Sequence, residues 1–190
     1  MNDRPLRRPD HRARDVETRH VAFVGMMAVG KTTVGRIVAN DIGRPFVDLD
    51  QMMVEEQGLT VSQMFSTHGE AWFRALEATT LERVLSRTGP LVVSLGGGAV
   101  TTSRCRELLS AHAFVVWLRA NPSTVLARIG DPSSRPLLAK DPEGSVKALD
   151  AQRRDLYASV AHLALSVDRR SPRWVASSVV RRLGTMRAHA

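Results

Sequence analysis

The sequence predicts an α/β fold, a three-layer αβα sandwich around a five-stranded parallel sheet. Two observations predict it. Short, continuously apolar runs alternate with longer amphipathic segments, and a glycine-rich loop follows the first apolar run. Strands of a parallel sheet are covered on both faces, so they are apolar throughout and do not alternate with polar residues. Ligands of such sheets bind beyond the carboxyl ends of the strands, where we expect the functional residues.

The apolar runs define the expected strands, and the segments between them define the expected helices. Strands are expected at residues 20–24, 45–48, 91–95, 113–118 and 163–167. Helices are expected at residues 31–41, 70–87, 122–129, 143–159 and 172 to about 183, with a further helix opened by a capping box. That capping box is formed by Thr60 and Gln63. Ser171 and Pro172 supply an N-cap and a first-turn proline for the last helix.

The length of 190 residues fits one domain, which we place at residues 20–190. Residues 1–19 are polar, rich in arginine and without periodicity, so they are expected to be a disordered leader. The leader lacks the apolar stretch of a secretory signal. No apolar run approaches the roughly 18 residues that a membrane span needs, so no membrane partner is expected.

The net charge of +8 lies at the two ends of the chain. Residues 1–20 have six arginines against four acids, and residues 169–190 have six arginines and no acid. Residues 21–168 are neutral, with fifteen basic and fifteen acidic side chains. Aromatic residues for base stacking are scarce at the ends, where Trp174 stands alone. We therefore expect no nucleic-acid partner.

Cys105 is the single cysteine of the chain. One cysteine excludes an internal disulfide framework and any metal site that needs several cysteines. The sequence thus predicts a reduced, cytoplasmic setting. Cys105 lies in a helix-like stretch, and we interpret it as a packing residue.

The loop after the first strand matches the phosphate-binding pattern G-x-x-x-x-G-K-[ST]. Its glycines let successive backbone N–H groups face one anion, and the following helix adds its positive end. Lys31 is expected to reach the β- and γ-phosphates of a nucleotide, and Thr32 to bind Mg²⁺. The pattern predicts a P-loop NTPase-type fold that binds ATP or GTP together with Mg²⁺. It does not name a reaction, because GTPases, adenylate kinase relatives and metabolite kinases share this loop. The residues expected at the nucleotide are Gly25, Met26, Met27, Ala28, Val29, Gly30, Lys31, Thr32 and Thr33.

Two acids, Asp48 and Asp50, stand at the end of the second strand with one residue between them. One carboxylate can help hold Mg²⁺, often through water, while the other orients an acceptor hydroxyl and takes its proton. The alternative is that either acid forms an Asx turn or caps the next helix. The sequence leaves both interpretations open.

Arg74 lies among apolar neighbours in the expected helix, with Glu70 and Glu77 on the same face. A surface salt bridge is one interpretation. The other is an arginine held rigid by carboxylates, so that its planar fork binds a substrate carboxylate with two hydrogen bonds.

Three consecutive glycines, Gly96, Gly97 and Gly98, directly follow the third strand. Because they remove every side chain there, backbone can approach a ligand closely. Further along, residues 129–141 form a Gly/Pro/Ser segment typical of a mobile lid, in which Arg135 could neutralise charge on a transferred phosphoryl group. Arg153 and Arg154 follow on the next helix.

Taken in order, these segments resemble the shikimate kinase family, over nearly the whole chain from about Val21. The motifs that carry the resemblance are GMMxxGKTTVG, F-x-D-x-D, F-R-x-x-E, S-L-G-G-G-A, R-P-L-L and R-x-x-L-Y. The resemblance implies that ATP phosphorylates the 3-hydroxyl of shikimate. It implies a shikimate site of Asp50, Arg74, Gly96, Gly97, Gly98 and Arg153, a Mg²⁺ site of Thr32 and Asp48, and adenine contacts from Arg128, Arg170 and Pro172. The catalytic residues would be Lys31, Asp50 and Arg135.

The chain departs from the family pattern at Ala28, where the loop usually has a glycine. Alanine is tolerable there if its φ is negative, but a positive φ costs ~1 kcal/mol or more. Two other functions remain open. One is a different small-metabolite kinase, such as a gluconate kinase; the other is a non-enzymatic nucleotide-binding or nucleic-acid-associated module, suggested by the basic ends of the chain. We expect a monomer.

Overall fold

A computed structural model describes residues 19–129 and 141–187. Its five strands form one parallel sheet in the order β2-β3-β1-β4-β5, which confirms the predicted fold class. The strands are β1 (His20–Val24), β2 (Phe46–Asp48), β3 (Val92–Ser94), β4 (Ala113–Arg119) and β5 (Leu163–Ser166). Every strand end lies within one residue of its predicted position, because continuous apolar runs are bounded sharply by polar residues.

Seven helices are described: α1 (Lys31–Asp41), α2 (Leu49–Gln57), α3 (Val61–Leu85), α4 (Ser103–His112), α5 (Pro122–Arg128), α6 (Pro142–Val160) and α7 (Pro172–Arg187). The capping box of Thr60 and Gln63 opens α3 as predicted. Gly69, with φ of 82°, interrupts α3 just before the segment predicted to begin at residue 70. No bounds were predicted from the sequence for α2 and α4.

The core fills the space between the sheet and the helices on both of its faces. β1 is buried along its whole length, with β3 and β4 hydrogen-bonded on either side. A second, smaller cluster of Met53, Met64 and Phe73 joins α2 to α3 beside the main core. The functional segments are thus carried by elements that pack against two separate apolar clusters.

Cys105 lies in α4 and has no exposed surface, which confirms that it is a packing residue. Burial raises the pKa of its thiol to about 12, so the side chain stays protonated and unreactive at neutral pH. None of the helices described in residues 19–129 and 141–187 has the length and apolar character to cross a membrane.

Candidate active site

The phosphate loop connects β1 to α1 and folds around the ammonium group of Lys31. Gly25 adopts a φ of 138°, and a Cβ added there would lie 2.3 Å from the carbonyl oxygen of Leu118 in β4. Only glycine therefore allows this approach of loop and strand. The buried Lys31 donates hydrogen bonds from Nζ to the carbonyl oxygens of Gly25 (2.9 Å) and Met26 (2.8 Å). The positive charge lies within the curve of the loop.

Ala28 occupies the left-handed region, with a φ of 58°. Of the two possibilities for Ala28, a negative φ without strain and a positive φ with strain, the second therefore holds. The cost relative to glycine is ~1 kcal/mol.

Thr32 and Asp48 meet at the carboxyl ends of the strands. The Thr32 hydroxyl donates to Asp48 Oδ2 at 2.6 Å and lies 3.5 Å from the Ser94 hydroxyl at the end of β3. Asp48 Oδ1 accepts from the backbone N–H of Gln51 at 3.3 Å and so caps α2. Asp48 thus caps α2 with one oxygen, which confirms the capping interpretation, and accepts from Thr32 with the other. Its role at Mg²⁺ stays a prediction.

These oxygens suit a hard cation such as Mg²⁺, which prefers carboxylate, hydroxyl, phosphate and water ligands. Within the described part of the chain, no group of three or more His, Cys, Asp or Glu side chains could hold a metal ion. The donor set therefore fits a cation that takes most of its ligands from phosphates and water. Sequence analysis missed Ser94, although a lone hydroxyl in the apolar run LVVSL was a visible signal.

Each glycine of the Gly96–Gly98 segment makes room for a different group. A Cβ at Gly96 would lie 2.8 Å from Asp50 Oδ1 and from Glu77 Oε1. A Cβ at Gly97 would lie 3.3 Å from the backbone nitrogen of Met27 in the phosphate loop. A Cβ at Gly98 would lie 2.1 Å from Nη2 of Arg74. The segment brings the phosphate loop and the charged side chains of α2 and α3 to one place.

Arg74 is held by two carboxylates from its own helix. Its guanidinium donates to Glu77 Oε2 at 2.6 Å and to Glu70 Oε1 at 3.3 Å. The Arg74 side chain is only 13% exposed, so the surface salt-bridge interpretation does not fit. Burial acts to lower the pKa of Arg74, but the charge and hydrogen bonds of Glu77 and Glu70 outweigh it and raise the pKa, so the guanidinium stays charged.

Glu77 has no exposed surface. Burial raises its pKa to about 7, although the charge of Arg74 and its hydrogen bond favour the ionised form. The negative charge of Asp50 raises this pKa further, and the positive charge of Arg153 lowers it. Sequence analysis assigned Glu77 only to Arg74, because nothing in the spacing shows that Asp50 lies on its other side.

Arg153 and Tyr157 extend from α6 toward the glycine segment. Arg153 is 4% exposed, and its Nε has no hydrogen-bond partner among the described residues. The Tyr157 hydroxyl donates to the carbonyl oxygen of Gly97 at 2.5 Å. Arg154, by contrast, is about half exposed and pairs with Asp150 on its own helix. Of the two arginines predicted on this helix, only Arg153 is buried.

A cavity of about 280 Å³ lies on the other side of the phosphate loop. The residues predicted to contact adenine line it, and Arg128 donates from Nη2 to the carbonyl oxygen of Val167 at 3.1 Å. The Arg170 guanidinium lies 4.3 Å from the ring centre of Trp174. The lining residues are Ala28, Val29, Gly30, Thr33, Val34, Arg128, Val167, Arg170, Pro172 and Val175. Arg135, and the lid predicted at 129–141 apart from its two end residues, lie outside the described residues.

Comparison with known proteins decides the family. A family model described as shikimate kinase matches residues 27–184. The chain belongs to the shikimate kinase family. The shikimate kinase of Symbiobacterium thermophilum is 40% identical over 167 residues, covering 86% of this chain and 95% of that protein.

Solved structures agree with this membership of the shikimate kinase family. The shikimate kinase from Acinetobacter baumannii in complex with shikimate matches with a TM-score of 0.85 at 32% identity, covering 91% of this chain and 97% of that one. A gluconokinase from Sinorhizobium meliloti 1021 matches with a TM-score of 0.54 at 20% identity, covering 91% of this chain and 93% of that one. The second likeness shows a shared fold alone.

Proposed function

We propose that this chain is an ATP-dependent shikimate kinase. It transfers the γ-phosphoryl group of ATP to the 3-hydroxyl of shikimate and releases ADP and shikimate 3-phosphate, within chorismate and aromatic amino acid biosynthesis. The observation that carries this proposal is the double contact of the glycine segment. Gly97 abuts the phosphate loop at Met27, while Gly96 and Gly98 abut Asp50 and Arg74. A phosphate donor bound at the phosphate loop and an anionic acceptor bound at Asp50 and Arg74 would therefore lie next to each other.

On the donor side, the amides of residues 25–33 and the amino end of α1 bind the phosphates. Lys31, already within the loop, neutralises charge on the β- and γ-phosphates. Thr32 and Asp48 would hold Mg²⁺, directly or through water, and the ion would supply charge neutralisation for the transferred phosphoryl group. Arg128, Arg170 and Pro172 bind the adenine in the adjoining cavity.

On the acceptor side, Arg74 and Arg153 bind the shikimate carboxylate, supported by the backbone of Gly96–Gly98. Arg74 can do so because Glu77 and Glu70 fix the orientation of its guanidinium. Asp50 orients the reacting hydroxyl and accepts its proton as the new bond to phosphorus forms. Phosphoryl transfer asks a protein chiefly for positioning and charge neutralisation, and these side chains supply both.

We assign three further features to this proposal. Residues 129–141 act as a lid, from which Arg135 neutralises charge on the transferred group. Residues 1–19 are a leader without a catalytic role, so their deletion leaves turnover unchanged. The enzyme is a cytoplasmic monomer without a membrane or nucleic-acid partner. Residues 21–168, which carry the proposed site, have no net charge, and this agrees with small-molecule ligands rather than a nucleic acid at that site.

The decisive test measures ADP release by the full chain with ATP, Mg²⁺ and either shikimate or gluconate. We expect turnover with shikimate and little with gluconate, because a built arginine pair selects a carboxylate at a fixed distance from the hydroxyl. Equal or faster turnover of gluconate would show that the chain is a different metabolite kinase. Nucleotide binding without turnover of either acceptor would favour a module without enzymatic activity.

A further inference from the structure

The Glu77 carboxylate is satisfied on one side only. Its Oε2 accepts from Arg74 at 2.6 Å, whereas its Oε1 is buried without a hydrogen-bond partner among the described residues. The same Oε1 borders Gly96, where Asp50 borders the same point from α2. A buried carboxylate oxygen without a donor is costly, and a second carboxylate nearby adds repulsion. A proton on Glu77 would relieve both.

Charged and titratable groups face Glu77 from every neighbouring element. Four of them interact with Glu77 directly: Asp50 on α2, Arg74 on α3, Cys105 on α4 and Arg153 on α6. Three more act on these neighbours: Glu70 on Arg74, Arg106 on Cys105, and Tyr157 on Arg153. Of the charges that act on Glu77, Arg74 and Arg153 are positive and Asp50 is negative, so the group is neutral when Glu77 is ionised. Cys105 and Tyr157 remain neutral, because burial raises the pKa of both. An added anion therefore leaves an excess negative charge, and Glu77 is the least exposed of the acids that can neutralise it.

We propose that Glu77 takes up a proton from solvent when the carboxylate of the acceptor binds Arg74, so that substrate binding is coupled to protonation. The proposal rests on the function proposed above. An incoming carboxylate shares the Arg74 guanidinium with Glu77 and adds a like charge beside it. The new O–H bond forms on Glu77, the buffer loses the proton, and no other bond changes. Glu77 then acts as a positioning residue, because the protonated side chain can still accept the hydrogen bond from Arg74 while its charge no longer repels the substrate carboxylate.

The size of the effect follows from the state of Glu77 before binding. Since its pKa is about 7, the residue is mostly ionised at pH 7.5. If the anion raises this pKa by one unit, about half a proton is taken up per shikimate at pH 7.5. By the same linkage, the affinity for shikimate falls up to about tenfold as the pH rises from 6 to 9.

The test is calorimetric titration of shikimate into the full chain at pH 7.5, in PIPES and in Tris at equal ionic strength. The dependence of the observed heat on the ionisation enthalpy of the buffer gives the number of protons taken up. We expect about half a proton for the unaltered chain and close to zero for Glu77→Gln. Glu70→Gln is the matched control, because Glu70 also bonds Arg74 but is 53% exposed. It should retain the uptake.

Equal heats in both buffers for the unaltered chain, or undiminished uptake in Glu77→Gln, would overturn the proposal. Should Glu77→Gln not fold, the pH series of shikimate affinity on the unaltered chain decides, and a flat series from pH 6 to 9 overturns it. Shikimate binding and turnover without proton uptake would refute this inference alone. The absence of both binding and turnover would refute it together with the proposed function.

Discussion

The donor and acceptor halves of the site are built in opposite ways. The donor half centres on one contiguous segment, residues 25–33, whose proposed binding groups are backbone amides, one lysine and the end of a helix, with Asp48 and the adjoining cavity beside it. The acceptor half is assembled from side chains of α2, α3 and α6 that are distant in the sequence and meet around the glycine segment, with Glu77 and Arg153 buried. In the donor half, one group can be substituted with little effect on the others. In the acceptor half, each charged side chain changes the pKa of its neighbours.

The largest effect is expected in the donor half, at Lys31. Replacement by alanine removes the positive charge from the curve of the loop, where negative charge develops during transfer. We expect Lys31→Ala to lower kcat at least 10²- to 10³-fold, the range found for loss of one preorganised charge-stabilising donor. Steady-state ADP release measures it. Lys147→Ala is the control, because Lys147 is 62% exposed on α6 and pairs with Glu143; a similar loss there would show that the effect is not local.

The next largest effect is expected in the acceptor half, at Arg74. Arg74→Ala should weaken shikimate binding by about 2–5 kcal/mol, because it removes one partner of a buried charge pair and leaves Glu77 without its cation. Titration calorimetry measures the affinity, and thermal unfolding measures the accompanying loss of stability. Arg83→Ala on the same helix is the control, since Arg83 forms an exposed pair with Glu56. Unchanged shikimate affinity in Arg74→Ala would remove Arg74 from the binding site.

The same contrast explains what the sequence could predict. The strands and the phosphate loop follow from neighbouring residues, so their positions were predicted almost residue by residue. Asp48 was harder, because one carboxylate serves both as helix cap and as partner of Thr32. The closeness of Asp50 to Glu77 was not predictable, since it depends on how α2 and α3 pack on their own small core.

The glycine segment also shows that a sequence can mark a functional segment without revealing why its residues are glycine. Its three glycines predicted close approach of backbone to a ligand, which stays a prediction. The structure adds a second cause that no spacing reveals: side chains of this chain occupy the space where Cβ atoms would lie, Arg74 over Gly98 above all. A motif can therefore mark the right residues while its geometric reason lies in distant parts of the chain.

Gly98→Ala tests this cause directly and sharpens the contrast between the halves. The added methyl would lie 2.1 Å from Arg74 Nη2, so the guanidinium must move away from its position between the carboxylates. We expect the KM for shikimate to rise about tenfold and the KM for ATP to change little, with the loss corresponding to ~1.4 kcal/mol. Gly184→Ala in α7 is the control, because nothing lies within 4 Å of the added Cβ. An equal rise in both KM values would contradict a local effect on Arg74.

The smallest effect is expected for Ala28→Gly, at the position where the phosphate loop departs from the family pattern. With a φ of 58°, alanine costs ~1 kcal/mol in the folded loop, but glycine costs a similar amount through the greater freedom of the unfolded chain. Ala28→Gly should therefore shift the free energy of unfolding by less than about 1 kcal/mol. Ala28→Val should destabilise by ~1–3 kcal/mol, because a branched side chain is strained in the left-handed region. Thermal unfolding and ADP titration measure both variants. If valine were tolerated as well as glycine, residue 28 would not be held at this positive φ, and the backbone of the phosphate loop would be more flexible than the structure indicates.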